Sequence, residues 1–161
     1  MSFCAVLPRD RSAGRVRISR DGTPRVAYRL SADDERRVIQ GLVEAGRVME
    51  AAGARQVYTT HTQPIAYQPG TRSTHEEWAE AIRNRGVRKG MTFFSYHQMG
   101  SCRMGTDPST SVVDDRNECH EVNGLYVVDG SAFPDASGVN PMLSIYAIAN
   151  RASKKIAARL A

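Results

Sequence analysis

The chain has 161 residues, of which 41% are hydrophobic and 24% are charged. This composition is typical of one folded globular domain and excludes an intrinsically disordered chain. No apolar run approaches the ~20 residues of a membrane-spanning helix, and the first residues lack a signal-peptide pattern, so the expected location is the cytoplasm.

The formal net charge of +5 comes mainly from arginine. Nucleic-acid binding usually adds exposed aromatics or a docking motif to such a charge. Neither is present, so the basic residues are interpreted as solvated surface and no nucleic-acid partner is predicted. The three cysteines, Cys4, Cys102 and Cys119, form no CxxC pair, which favours reduced thiols over a disulfide framework or a zinc ribbon.

The first third of the chain predicts a hairpin followed by a helix. Residues 14–20 alternate apolar and charged side chains, Asp21-Gly22 is a turn signal, and residues 25–30 form the return strand. Ser31 begins a helix-start pattern, and the apolar periodicity predicts a helix near residues 32–52 that ends at Gly53.

The next segment predicts a short strand at residues 56–59 and a loop over residues 61–71, which contain two prolines and a glycine. A capping-box pattern beginning at Thr74 predicts a helix over residues 75–85, with Trp78 as a packing residue.

The last third predicts a buried strand and a long helix. The apolar run of residues 125–128 ends at Asp129, as buried strands of α/β sheets often end in a polar residue. From Pro141 to the C-terminus, apolar residues recur at helical spacing.

Three polar residues are candidates for chemistry, each with a structural alternative. His97 lies between aromatic residues and a glycine-containing segment, a setting that suits a general base, although single histidines are often structural. Asp129 either caps the following turn or binds a cofactor hydroxyl. Asn140 either caps the last helix or faces a substrate. The other histidines lack metal-ligand spacing, so no metal is predicted.

Four ordered motifs resemble the C-terminal part of the glucose-methanol-choline oxidoreductases. Within that family their residue sequences are most similar to the long-chain alcohol oxidases, and cholesterol-oxidase-like members are further relatives. The motifs are YHQMGSCRMG at residues 96–105, VVD at 112–114, GLYVVDGS at 124–131 and GVNPM at 138–142. The resemblance implies an FAD-dependent enzyme that oxidises an alcohol, here a hydrophobic one, to a carbonyl.

The resemblance also implies roles for individual residues. His97 corresponds to the active-site histidine and Asn140 to the second catalytic position. Asp129 and Gly130 correspond to residues that contact the ribityl and pyrophosphate part of FAD. Asn140, Pro141 and Met142 correspond to residues beside the flavin ring.

The predicted fold class is α/β (α+β). Residues 1–92 are assigned to part of a substrate-binding domain and residues 93–161 to the catalytic loop and C-terminal part of an FAD-binding domain. No GxGxxG fingerprint is present. The chain is therefore expected to be a C-terminal piece whose partners are an FAD-binding region or subunit and a small-molecule alcohol; the alternative is a non-enzymatic fragment that binds a partner.

Overall fold

The computed structural model describes residues 1–88 and 90–160. The chain divides into two compact units, the first formed by Met1–Ala13 and Tyr28–Phe94, the second by Gly14–Ala27 and Ser95–Ala161. Helices and short antiparallel sheets occur together, which confirms the predicted mixed class. The assignment of residues 1–92 and 93–161 to two functional domains stays a prediction.

Helices and strands alternate irregularly along the described residues. In chain order they are β1 (Arg15–Ile18), β2 (Pro24–Ala27), α1 (Ala32–Ala51), β3 (Val57–Tyr58), β4 (Ala66–Tyr67), α2 (His75–Arg85), a 3-10 turn (Gly130–Ala132) and α3 (Met142–Leu160).

In the first unit, α1 and α2 begin and end where the capping signals predict. The Ser31 hydroxyl accepts from the Asp34 N–H, and Gly53 follows the helix with φ +83°. At α2, Thr74 and Glu77 complete a capping box, and Gly86 ends the helix with φ +66°. Because glycine has no Cβ, it adopts this positive φ without strain.

The predicted loop over residues 61–71 is partly wrong, because it contains β4. The two residues of β4 pair antiparallel with β3, Val57 opposite Tyr67 and Tyr58 opposite Ala66. Pro64 and the Pro69-Gly70 pair lie on either side of this strand. Because these strong turn signals are so close together, the whole segment has the sequence pattern of a loop and a two-residue strand within it is not recognised.

The core of the first unit forms where α1, α2 and this small sheet meet. Val57, Tyr67, Trp78 and Ile82 are buried together, and half-buried residues of α1 pack against them. The indole N–H of Trp78 donates to the Ile65 carbonyl over 2.9 Å. A Cβ at Gly46 would lie 2.4 Å from the Trp78 ring, so α1 approaches α2 closely at a glycine. The packing role predicted for Trp78 is confirmed.

In the second unit, the predicted hairpin forms as β1 and β2, with Val16 opposite Val26 and Ile18 opposite Pro24. The Ser19 N–H donates to the Thr23 carbonyl, and Gly22 has φ +81°. The turn is therefore a three-residue loop closed by a glycine in the left-handed region, one of the common hairpin connections.

The predicted strand over residues 125–129 is wrong. Tyr126 makes a single antiparallel bridge with Glu118, and Leu125 is 49% exposed. A buried strand needs neighbouring strands along both edges, and none of the named strands pairs with this segment in the described residues. The segment is instead an extended stretch that leads to Asp129.

The predicted C-terminal helix is confirmed as α3. Its first hydrogen bond after Pro141 runs from the Ile145 N–H to the Pro141 carbonyl over 2.8 Å. Ala152 is buried and Ile145, Ile148 and Ile156 are half-buried, as the apolar periodicity predicts, whereas Leu160 is 82% exposed.

Candidate active site

The segment that follows His97 runs beside the 3-10 turn. The Cys102 N–H donates to the Ser131 carbonyl over 3.0 Å, and the Met104 N–H donates to the Ala132 carbonyl over 2.9 Å. These backbone bonds are independent of side-chain identity, and they fix the register of the two segments. The motif containing His97 and the motif containing Asp129 are therefore neighbours in the second unit.

Three segments of the second unit come together at Gly130. A Cβ placed on Gly130 would lie 3.3 Å from the carbonyl oxygen of Gln98 and 3.4 Å from Cδ1 of Ile145. Gln98 follows His97 directly, and Ile145 lies one helical turn after Met142. A side chain at this position would press on the Gln98 carbonyl, which would have to give by a few tenths of an ångström.

Asp129 caps the 3-10 turn. Its Oδ1 accepts from the Ser131 N–H over 2.8 Å and from the Ser131 hydroxyl over 2.5 Å, and its side chain is otherwise exposed. The capping alternative is thus realised in the structure. A cofactor contact by the same exposed carboxylate stays a prediction.

The remaining predicted site residues lie at the surface of the second unit, apart from Pro141. His97 and Asn140 are exposed and Met142 is 56% exposed, whereas Pro141 is fully buried. Exposed apolar side chains flank Asn140 and Met142 on the chain; they are Val139, Leu143 and Tyr146. The start of α3 therefore presents an apolar surface interrupted by the Asn140 amide.

Sequence reasoning missed Asn117, which is fully buried and has φ +67°. Its amide nitrogen donates to the Val127 carbonyl over 2.9 Å, and its amide oxygen accepts from Arg151 of α3 over 3.5 Å. Asparagine is among the few non-glycine residues that adopt a positive φ readily, so the DDRN turn was the one local signal available.

Charged side chains connect the turn at residues 114–118 to α3. Lys155 pairs with Asp115 over 3.4 Å, and Arg159 pairs with Glu118 and donates to the Tyr126 hydroxyl over 3.0 Å. Burial alone would raise the pKa of Asp114, but hydrogen bonds from the Arg116 side chain and from the Glu118 and Arg116 backbone outweigh it and lower that pKa.

The sequence model of the GMC oxidoreductase family matches residues 10–149 of this chain. The chain belongs to the GMC oxidoreductase family. It matches the C-terminal domain of these enzymes, and the resemblance inferred from the four motifs is confirmed.

The similar proteins include oxidases that are named for different compounds. Long-chain-alcohol oxidase FAO4B of Arabidopsis thaliana is 38% identical over 157 residues, which cover 93% of this chain and 20% of that protein. Paromamine 6'-oxidase of Streptomyces fradiae is 34% identical over 152 residues, covering 91% of this chain and 23% of that protein. The chain thus spans about a fifth of the length of these relatives.

Among solved structures, pyridoxine 4-oxidase from Mesorbium loti has a similar fold, with a TM-score of 0.59 and 25% sequence identity. The match covers 91% of this chain and 28% of that one. This similarity supports the mixed fold class and its relation to part of a larger oxidoreductase.

GMC oxidoreductases generally bind FAD. The residues that the resemblance assigns to this cofactor are Asp129, Gly130 and those at the start of α3. Asp129 has an exposed carboxylate, a group that accepts hydrogen bonds from hydroxyl groups.

Within residues 1–88 and 90–160, no group of three or more histidine, cysteine, aspartate or glutamate side chains is arranged to hold a metal ion. Over the same ranges, no helix combines the length and the apolar character needed to cross a membrane.

Proposed function

We propose that this chain is the catalytic C-terminal portion of an FAD-dependent GMC oxidoreductase that oxidises a hydrophobic alcohol to a carbonyl compound. The second component of the enzyme would be a region or subunit that binds the ADP half of FAD. The proposal rests on the contact at Gly130, where the backbone of Gln98, next to His97, and the α3 residue Ile145 lie beside the glycine that follows Asp129.

Each candidate residue lies close along the chain to that contact. His97 precedes Gln98, whose carbonyl touches the Gly130 position, and Asn140 precedes the helix whose Ile145 touches it from another side. Both side chains are exposed, so a ligand over this part of the second unit has access to them. Asp129 adds a carboxylate next to the same glycine.

The two polar residues have complementary roles toward an alcohol. An unprotonated imidazole nitrogen of His97 accepts the hydroxyl proton, because imidazole is the side chain best suited to proton transfer near neutral pH. The Asn140 amide hydrogen-bonds the same oxygen and orients the carbon that is oxidised. FAD, when bound, supplies the acceptor for the hydride that leaves that carbon.

The substrate class follows from the apolar surface at the start of α3. Val139, Leu143 and Tyr146 are 67%, 76% and 63% exposed and lie close in sequence to Asn140. Apolar side chains around a few polar groups favour a ligand with a long hydrocarbon part. The name of the Arabidopsis relative, a long-chain-alcohol oxidase, supports the same class.

The test is a chimera in which this chain replaces the matched fifth of FAO4B. We expect the chimera to retain FAD and to oxidise a long-chain alcohol, as measured by flavin absorbance and aldehyde formation. His97→Ala in the chimera should lower turnover by about 10²-fold or more while flavin content is unchanged, since a positioned general base contributes ~10²–10⁴-fold.

The control is His120→Ala, which replaces a histidine of the same unit whose Nε2 bonds Ser111 over 2.9 Å. This variant should keep most of the turnover. Unchanged turnover in His97→Ala would remove the base assignment. A folded chimera that binds no FAD would contradict the proposed function and favour a non-enzymatic fragment.

A further inference from the structure

Asn117 lies between α3 and the extended segment that leads to Asp129. Its backbone is bonded at both polar groups: the Asn117 N–H donates to the Asp114 carbonyl over 3.0 Å, and its carbonyl accepts from the Val127 N–H over 3.0 Å. Its side-chain nitrogen donates to the Val127 carbonyl over 2.9 Å. Val127 is therefore held on both its N–H and its carbonyl by one residue.

The other end of the same amide connects to α3. Arg151 reaches the Asn117 oxygen, and the next two basic residues at four-residue spacing, Lys155 and Arg159, bond Asp115 and Glu118. Residues four apart lie on one face of a helix, so one basic stripe of α3 binds the whole turn. The register of α3 is thereby tied to residues 115–118.

These two connections hold the two segments that lie on either side of the candidate site. Val127 lies two residues before Asp129, and α3 begins directly after Asn140 and Pro141. A shift of either the segment before Asp129 or the start of α3 would change the contact at Gly130. The Gln98 carbonyl and Ile145 both lie within 3.4 Å of a Cβ placed there.

We propose that Asn117 is a positioning residue for the flavin site, which fixes the Asp129–Gly130 backbone against the start of α3. The assignment of this site to a flavin rests on the proposed function. The positioning of the backbone is a property of this chain and does not depend on the cofactor. Glycine at this position would keep the positive φ without strain, so the asparagine side chain is required only for its amide bonds.

The test is Asn117→Gly, which deletes the amide without straining the backbone. Amide hydrogen exchange is measured by NMR on the chain itself. We expect the Val127, Ser131 and Cys102 N–H groups to exchange roughly fivefold to tenfold faster, the factor for about one hydrogen bond. The Val112 N–H of the same unit and the Trp78 N–H of the first unit should be unchanged.

Two further variants complete the design. Asn123→Gly makes the same chemical change at an exposed position of the same unit and should alter none of these rates. Arg151→Met, at an exposed helix position, removes only the Asn117–Arg151 bond and leaves the Lys155 and Arg159 contacts in place. It should accelerate the same amides by a smaller factor, about threefold, even if Asn117→Gly fails to fold.

If amide exchange accelerated uniformly across the second unit in the variants that fold, the proposal would be overturned, because Asn117 would then stabilise the whole unit and not the site alone. Unchanged exchange rates would overturn it as well. An FAD titration of FAO4B chimeras that carry the same changes, followed by flavin fluorescence, separates the two proposals. Site-local acceleration with about tenfold weaker FAD binding supports both. The same acceleration together with a parent chimera that binds no FAD supports positioning and counts against the proposed cofactor.

Discussion

Asp34 illustrates how single side chains hold the first unit. It is 1% exposed, and its carboxylate accepts from the Arg11 N–H over 2.9 Å, from the Ser12 N–H over 3.1 Å and from both the Ser12 and Ser31 hydroxyls. The hydrogen bonds, that from the Ser12 side chain above all, outweigh the effect of burial and hold the pKa of Asp34 well below its ordinary value. One carboxylate thus joins the N-terminal segment to the start of α1.

Asp34→Asn should lower the free energy of unfolding by about 2–3 kcal/mol at neutral pH, because a hydrogen-bonded charge is replaced by a group that accepts fewer bonds. Since the folded pKa is depressed, the carboxylate stabilises the fold above the ordinary pKa of 3.8, and this contribution is lost as the pH falls below it. Urea unfolding between pH 7 and pH 2.5 measures both effects. A difference between the two proteins that does not shrink in acid would contradict the assignment.

At the scale of elements, α2 depends on its N-terminal capping box. The Glu77 N–H donates to the Thr74 hydroxyl over 3.2 Å, and the Glu77 carboxylate accepts from the Thr74 N–H over 2.8 Å. The helix is only 11 residues long, a length at which isolated helices are marginal. Its cap and its buried face, with Trp78 and Ile82, therefore act together.

Thr74→Ala should destabilise the first unit by about 1 kcal/mol, the usual cost of losing a threonine cap. The measurement is the urea midpoint followed by Trp78 fluorescence, since this side chain is buried in the same unit. Glu80→Ala, at an exposed position within the same helix, serves as the matched control and should leave the midpoint nearly unchanged. Equal effects in both variants would show that the cap adds nothing.

At the scale of the molecule, the surface of the second unit combines charge with exposed apolar side chains. Along α3, Leu143 is 76% exposed while Ile145 is half-buried against Gly130. Two neighbouring apolar residues of one helix thus face different environments. Exposed apolar groups of this kind mark a binding surface in many proteins.

Leu143→Lys should reduce the fluorescence of a hydrophobic dye bound to the chain and change the free energy of unfolding by less than about 0.5 kcal/mol, as surface substitutions usually do. Ile145→Lys is the contrasting variant. It should destabilise the second unit by about 2 kcal/mol or more, because it places a charge against the Gly130 backbone. Comparable destabilisation by both changes would contradict the different exposures.

The sequence by itself determined the helices, the hairpin and the family. Caps such as Ser31 and Thr74 and the turn glycines act over three or four residues, so their patterns can be recognised locally. The four ordered motifs were likewise recognised from the sequence alone. His97, Asp129, Asn140, Pro141 and Met142 were selected from these motifs, and their catalytic and cofactor roles stay predictions.

Only the tertiary structure decided which segments meet. The Asn117 amide and Arg151 are 34 residues apart, and Asp34 is 22 residues from Ser12, so no local pattern predicts either bond. The convergence of Gln98 and Ile145 on Gly130 likewise depends on backbone packing between distant segments. The same reason explains the wrong strand at residues 125–129, since an apolar run becomes a strand only when partner strands lie beside it.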